Sequence, residues 1–386
     1  MEYHKIDLIR IARRENNKKR NYLLVNPLQG KHVPVSPGQA FQMMDALAGK
    51  INSVYPGERL LLAGFAETAT AIGARLAVKL NTGYIQTTRE QVPGAEYLYF
   101  TESHSHAAEQ KLVKNDLDEK IHLFDRIVFV EDEVTTGNTI LKIVKILEKT
   151  YPSTVKFSVA SLLNGMDEEA LERYKKHGIA LHYLLKTDHS LFPAQAEKFR
   201  GDGTYFSGWG HGSGTVLPSD YQDDGHRVKE IVLPGYRNAR KFVEGCDYGR
   251  ACEALWKQVR TYIPAAEEMS FLVLGTEEFM YPALYTAVRL EEAGGKVCFH
   301  ATTRSPIEVS REEKYPLHVR YELQSFYESG RRTFVYDLKK YDQVLILTDA
   351  VPGSQEGLNS LAEALQSAGN KNITCFRWCE NAEFLS

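Results

Sequence analysis

The sequence predicts an α/β protein made of two related halves, each with a parallel-sheet core and a small accessory element. Three observations carry that prediction. Apolar runs such as IVFV at 127–130 lack the polar alternation of a half-exposed strand, so they read as strands covered on both faces. The chain matches itself at an offset that drifts from 210 to 217 residues, counted between the numbered motifs below. A length of 386 residues with 43% hydrophobic content can bury more than one core.

Residues 1–50 read as a small N-terminal element, with NPLQGKHVPVSPG at 26–38 carrying Lys31 and His32 on a surface hairpin or toward a ligand. RLLLAGFAETATAIGARLA at 59–77 reads as a buried strand, a turn at Gly64, Phe65, Ala66 and Glu67, and an Ala-rich helix. A strand-like GYIQTTRE follows and ends near Arg89. Residues 91–120 form a long charged connection containing YLYFTESHSHAAEQ, in which Glu102, His104 and His106 share one face if the segment is extended. Three readings are open to it: a Glu-x-His-x-His metal site, a solvated hairpin face, or an anion- or acceptor-binding loop.

The most informative stretch is IVFVEDEVTTGNT at 127–139. Ligands bind at the carboxyl ends of parallel strands, and Glu131 and Asp132 sit there. Two adjacent carboxylates can accept hydrogen bonds from vicinal hydroxyls or hold Mg2+ through water. Thr135, Thr136, Gly137, Asn138 and Thr139 then supply hydroxyls, a residue free to take positive φ, and the N–H groups of a starting helix. A phosphate monoester on a polyol fits this layout; an ordinary helix cap at a strand end is the alternative.

TVKFSVASLLNG and IALHYLLK supply the last strands of the first half around a helix at 167–176. Residues 189–228, with GDGTYFSGWGHGSG, change character and read as a linker or lid. In the second half, KFVEGCDYGRACEALW at 241 matches KHVPVSPGQAFQMMDAL at 31. LGTEE, ending at Glu278, matches AGFAE; TTRSP, around Arg304, matches TTRE; and QVLILTDAVPGS, with Asp349, matches RIVFVEDEVTTG. The second copy replaces the acid pair by Thr348 and Asp349, and Pro352 removes an N–H from its turn. Gly353 and Ser354 are left there for a smaller anion, and Glu278, Thr303, Arg304, Ser305 and Asp349 are the candidates for a second site.

The 127–139 string resembles the phosphoribosyl-pyrophosphate (PRPP) loop of type I phosphoribosyltransferases, the orotate-type enzymes in particular. TTRSP at 302–306 resembles the signature of the TRSP domain, which accompanies such transferase domains in bacterial tellurium-resistance gene clusters. The resemblance implies two Rossmann-like phosphoribosyltransferase-type halves with hoods: a transferase domain at 1–188, a linker or lid at 189–228, and a degenerate repeat at 229–386. It implies that Glu131 and Asp132 hold ribose hydroxyls and Mg2+, and that Thr135, Thr136, Gly137, Asn138 and Thr139 hold the 5-phosphate. Pyrophosphate would lie between Arg89 and the turn from Gly64 to Glu67, with a cis peptide near Ala63 and Gly64. Lys31, His32 and the Glu102, His104, His106 loop would face the acceptor, although that loop lacks the Lys-rich spacing of orotate-type enzymes.

The implied reaction is Mg2+-dependent phosphoribosyl transfer from PRPP to a base or base-like acceptor with release of pyrophosphate, in the making of a nucleoside-like metabolite. A PRPP- or nucleotide-sensing regulator is one alternative, and a second catalytic site in the second half is another. A net charge of −3 gives no basic field for nucleic acid or a membrane surface. Five scattered cysteines and an N-terminus without a signal-type apolar core point to a reducing, cytoplasmic setting. A homodimer is one expectation; a second half covering the same surface is the other.

Overall fold

The computed structural model describes residues 2–17, 20–100, 110–152, 155–207, 228–352 and 355–380. Glu102, His104, His106, Gly353, Ser354 and the glycine-rich run at 208–227 lie outside the described residues. The chain forms two compact units that alternate along the sequence. The first holds Met1–Tyr3, Phe41–Asp188 and Arg237–Ala251; the second holds His4–Ala40, His189–Tyr236 and Cys252–Ser386.

In the first unit the apolar runs become a parallel sheet. Its members are β1 (Leu60–Gly64), β2 (Gly83–Gln86), β3 (Arg126–Val134), β4 (Lys156–Asn164) and β5 (Ala180–Lys186), in the spatial order β2-β1-β3-β4-β5. The two-residue strand Val243–Glu244 adds to β2 antiparallel, which ties residues far along the chain to this sheet. All five residues of β1 are buried, as are the first five of β3. Helices α1 (Thr70–Leu80), α2 (Asn138–Thr150) and α3 (Glu168–Lys176) connect the strands. In α2, Ile140, Leu141, Ile143, Val144 and Leu147 are buried, while Lys142, Lys145 and Lys149 are exposed, which is the spacing of an amphipathic helix lying on a sheet.

Strand β3 runs further than its apolar run. Glu131 and Glu133 stay in register with Ser161 and Leu163, because β4 continues alongside and offers backbone partners as far as Asn164. The acid pair therefore sits on the strand rather than just beyond it.

The second unit repeats the arrangement. Strands β6 (Lys229–Val232), β7 (Ser270–Gly275), β8 (Lys296–Ala301), β9 (Gln343–Thr348) and β10 (Ile373–Arg377) form a wholly parallel sheet in the order β6-β10-β9-β7-β8. Helices α4 (Tyr281–Glu292) and α5 (Glu356–Ser367) follow β7 and β9. The four strands β10-β9-β7-β8 correspond in order to β4-β3-β1-β2 of the first unit. The fifth differs, because β5 follows its four strands in the chain and β6 precedes its own.

The N-terminal hairpin, Arg10–Arg13 paired with Tyr22–Val25, belongs to the second unit. Its Ala12, Leu23 and Val25 bury against Ile307, Val309, Leu317 and Phe334. Part of the segment expected as a linker is also ordered there: Phe192–Glu197 is helical and Thr204–Phe206 pairs with Val319–Gln324. All five cysteines are free thiols. Among the described residues no helix is long and apolar enough to cross a membrane.

His300 on β8 is fully buried, with its ring nitrogens 3.3 Å from the Gly30 carbonyl oxygen and 3.0 Å from that of Tyr336. Burial lowers its pKa to about 4. An unfolded histidine titrates near 6.5, so between these values the unfolded chain binds the extra proton and stability falls as pH drops. The expected loss from about pH 6.5 to pH 4 is about 3 kcal/mol from this residue. Unfolding measured across that range for the wild type and His300→Gln should show the variant losing less; equal losses would remove His300 as the cause.

Candidate active site

The carboxyl ends of β1, β2 and β3 converge on one polar cluster. The turn after β1 is held from several directions: the Phe65 N–H donates to the Val130 carbonyl at 3.0 Å, and the Thr87 N–H to that of Gly64 at 2.9 Å. Thr87 Oγ1 accepts from the Ala66 N–H at 2.8 Å, and Gln110 Nε2 donates to the Ala66 carbonyl at 3.0 Å. The Ala66–Glu67 peptide is cis, three residues beyond the expected place near Ala63 and Gly64. A Cβ on Gly64 would come within 2.6 Å of the Tyr84 hydroxyl, so only glycine leaves room there for the Tyr84 side chain.

Asp132 faces this turn. Thr68 Oγ1 donates to Asp132 Oδ1 at 2.8 Å. Burial raises the Asp132 pKa, the charge of Glu133 adds to the rise, and the Thr68 hydrogen bond opposes it. Glu131 is raised well above the ordinary carboxylate range, first by burial, then by the charges of Asp132 and Glu133. Arg89, close enough for its charge to act on Glu131, pulls in the other direction. The structure thus brings Arg89 and both expected acids together.

The turn from Thr135 to Thr139 leaves β3 and opens α2. Gly137 is its hinge, at φ 69°. A Cβ there would meet Met166 Cε and the Tyr174 hydroxyl oxygen, each at 2.4 Å. The Tyr174 hydroxyl donates to the Gly137 carbonyl at 3.0 Å, and Arg173 Nη2 to the Thr136 carbonyl at 3.4 Å. Thr136, Asn138 and Thr139 are exposed at the start of a helix of 13 residues. Exposed hydroxyls and the N–H groups of a helix start suit an oxyanion, and the adjoining acids suit hydroxyls or a cation.

Residues 8–189 match a family described as phosphoribosyl transferase, and residues 246–365 match the TRSP domain, described as C-terminal to that transferase. The chain carries a phosphoribosyltransferase domain followed by a TRSP domain. Comparison with curated proteins gives no match. Among solved structures, the adenine phosphoribosyltransferase of Rhodothermus marinus is similar at 15% identity, with 47% of this chain and 94% of that chain covered and a TM-score of 0.34. That of Thermoanaerobacter pseudethanolicus is 20% identical over 47% and 96%, with a TM-score of 0.33. The Saccharomyces cerevisiae enzyme, solved with an imino-altritol bisphosphate and adenine, is 15% identical over 47% and 96%, also with a TM-score of 0.33.

The TRSP region keeps two hydrogen bonds of the transferase turn but departs from it in chemistry and in backbone, with Glu277 at φ 47° where the transferase turn has its cis Ala66–Glu67 peptide. The Glu277 N–H donates to Thr302 Oγ1 at 3.0 Å and the Thr302 N–H to the Gly275 carbonyl at 3.0 Å, the same two bonds made by Ala66 and Thr87. Asp349, the counterpart of Asp132, accepts from the Tyr236 hydroxyl at 2.7 Å and the Tyr327 hydroxyl at 2.6 Å. Thr303 pairs its backbone with Phe334, and the Ser305 carbonyl accepts from the Tyr336 hydroxyl at 2.7 Å, so both residues brace the TRSP loop. Glu278 is buried and meets Arg304 Nη2 at 3.5 Å. Lys31 is fully buried, not on a surface hairpin: its Nζ donates to the carbonyls of Glu277 and Thr302 at 2.8 and 2.9 Å. His32 is buried as well.

Sequence reasoning did not single out Thr68, Thr87, Gln110, Tyr174, Glu277 or the two tyrosines on Asp349. One signal was available: Thr87 and Thr302 occupy the same place in the repeated TTR, two residues before Arg89 and Arg304.

Proposed function

We propose that the transferase domain moves a 5-phosphoribosyl group from PRPP to a base or base-like acceptor and releases pyrophosphate. The observation that carries this is the pairing of Glu131 and Asp132 with the Gly137-hinged turn on one side and Arg89 on the other. In this reading Thr135, Thr136, Asn138 and Thr139 bind the 5-phosphate, the two carboxylates take the ribose hydroxyls, and Arg89 with the turn from Gly64 to Glu67 takes pyrophosphate. The bond from C1 to the pyrophosphate oxygen breaks, its electron pair leaves on pyrophosphate, and the acceptor's nucleophilic atom forms the new bond to C1 and gives up its proton to water. The ribosyl group is cation-like in between, and fixed carboxylates beside it act without reorganising.

Mg2+ fits the donor set. Two carboxylates that burial and neighbouring acid charges hold above their ordinary range gain from a cation, and Mg2+ commonly takes one or two carboxylates with waters and substrate phosphates. Glu131 and Asp132 would hold it, through water, and its charge would neutralise the leaving pyrophosphate. Which base or base-like acceptor is used, a homodimer and a cytoplasmic setting remain part of the proposal.

Raised carboxyl pKa values give a linked prediction. A cation or a hydroxyl donor binds the ionised acids, so binding of Mg2+ and PRPP strengthens as pH rises above the ordinary carboxylate range and releases protons. Calorimetry at mildly acidic pH, in two buffers of different ionisation enthalpy, should give different apparent enthalpies; identical values would contradict the linkage. The activity itself is tested by pyrophosphate release from PRPP and Mg2+ against a panel of bases and a cell metabolite extract. Acceptor-dependent release supports transfer, and binding without release under every condition favours the sensing alternative.

A further inference from the structure

The turns that follow β1 and β7 share two hydrogen bonds and differ in sequence at Phe65 against Thr276, Ala66 against Glu277 and Thr68 against Phe279, and of these only the Ala66 position gains a charge. Ala66 in the transferase domain corresponds to Glu277 in the TRSP region, as Arg89 corresponds to Arg304. Glu277 is fully buried and turns its carboxylate into the cationic cluster of its own loop. Its Oε2 lies 2.7 Å from Arg304 Nε and 3.6 Å from Arg331 Nε, and its Oε1 accepts from the Ser325 hydroxyl at 2.5 Å. Two guanidinium groups and a hydroxyl converging on one carboxylate are the donors an oxyanion would use.

We propose that the TRSP region contains an oxyanion site that is filled by the chain's own Glu277 carboxylate. The ligand class is a compact oxyanion of the phosphate or pyrophosphate type. Three features support the assignment. The loop keeps one backbone–backbone bond and one backbone-to-threonine bond of the transferase turn, so both units hold the start of the turn in the same way. Glu277 adopts φ 47°, a conformation that L side chains rarely take, and it holds that conformation where its carboxylate meets the arginines. The Arg304 and Arg331 side chains remain 10% and 14% exposed, so the cluster reaches the surface and a ligand has a way in once the carboxylate is gone. In the transferase turn the corresponding side chain is the short Ala66, which carries no carboxylate to compete with a substrate anion. The Glu277 carboxylate thus closes the TRSP cradle, and the TRSP region binds no pyrophosphate while it is in place.

The proposal's reciprocal half rests on the function proposed above; its first half does not. Titration calorimetry of the full chain with sodium pyrophosphate tests the first half. Glu277→Gly keeps the positive φ and removes the carboxylate, and it should bind one pyrophosphate per chain more than the wild type, with a rise in Tm on adding pyrophosphate. Glu277→Ala, which copies the side chain of the transferase turn, guards against a folding defect and should show the same extra site. Adding Arg304→Leu to either variant should abolish the increment. No increment in a folded variant, or one that survives Arg304→Leu, overturns the proposal. Because the readout is a difference from wild type, it holds whether or not the transferase domain binds pyrophosphate itself. The reciprocal Ala66→Glu should place a carboxylate on Arg89 and weaken pyrophosphate binding in the transferase domain by about 10- to 100-fold; unchanged binding there counts against the equivalence of the two turns.

Discussion

Asp132→Asn is expected to lower PRPP-dependent transfer by about 10²- to 10³-fold, the usual cost of losing one preorganised electrostatic partner of a charge-developing transition state. The fold should survive, because the amide oxygen can still accept the Thr68 hydrogen bond now made to Asp132 Oδ1. Removing a carboxyl whose pKa burial has raised also relieves repulsion from Glu133, so thermal stability should hold or improve. Steady-state pyrophosphate release, with circular dichroism alongside, separates the two effects. Turnover near the wild-type level would sink the assignment of the acid pair.

Gly137→Ala has the second largest expected effect. The residue sits at φ 69°, and a Cβ would come within 2.4 Å of both Met166 Cε and the Tyr174 hydroxyl oxygen. Left-handed backbone at a non-glycine residue costs about 1–3 kcal/mol, and overpacking adds about as much, so a loss of about 2–4 kcal/mol is expected. Relief requires Tyr174 to leave the Gly137 carbonyl, which loosens the turn proposed to hold the 5-phosphate. Chemical denaturation should show the lower stability and calorimetry the weaker PRPP binding. A variant with wild-type values for both would mean that the turn tolerates a side chain and is no close-fitting cradle.

The sheets were legible because their strands are continuous apolar runs, and continuous burial needs no knowledge of the partner strand. The carboxyl end of β3 was not, since polar Glu131, Asp132 and Glu133 stay in a ladder that β4 extends beneath them. The acids, Arg89 and the threonine turn are visible as local strings, and the structure brings the acids and Arg89 within reach of one another's charge. Interactions between distant strings left no such mark. Ser325 meets Glu277 across 48 residues, and Lys31 meets it across 246. A buried lysine bonded to two carbonyls looks, in sequence, like any lysine in a polar loop. The grouping of the N-terminal hairpin was hidden for the same reason, because Ala12, Leu23 and Val25 specify an apolar face without saying what covers it.

The alternation of the two compact units along the chain bears on how the polypeptide can be made and cut. A ribosome would release Phe41–Asp188 early, yet the antiparallel edge strand Val243–Glu244 of that sheet emerges only after another stretch of the second unit has been synthesised. The hairpin at His4–Ala40 must wait longer still, until Ile307 and Phe334 exist to cover it. A gene fragment ending at residue 188 would therefore strand an apolar hairpin and expose a sheet edge, and one beginning at 229 would leave the first residues of its own core behind. The two regions cannot be traded as cassettes by cutting at either family boundary.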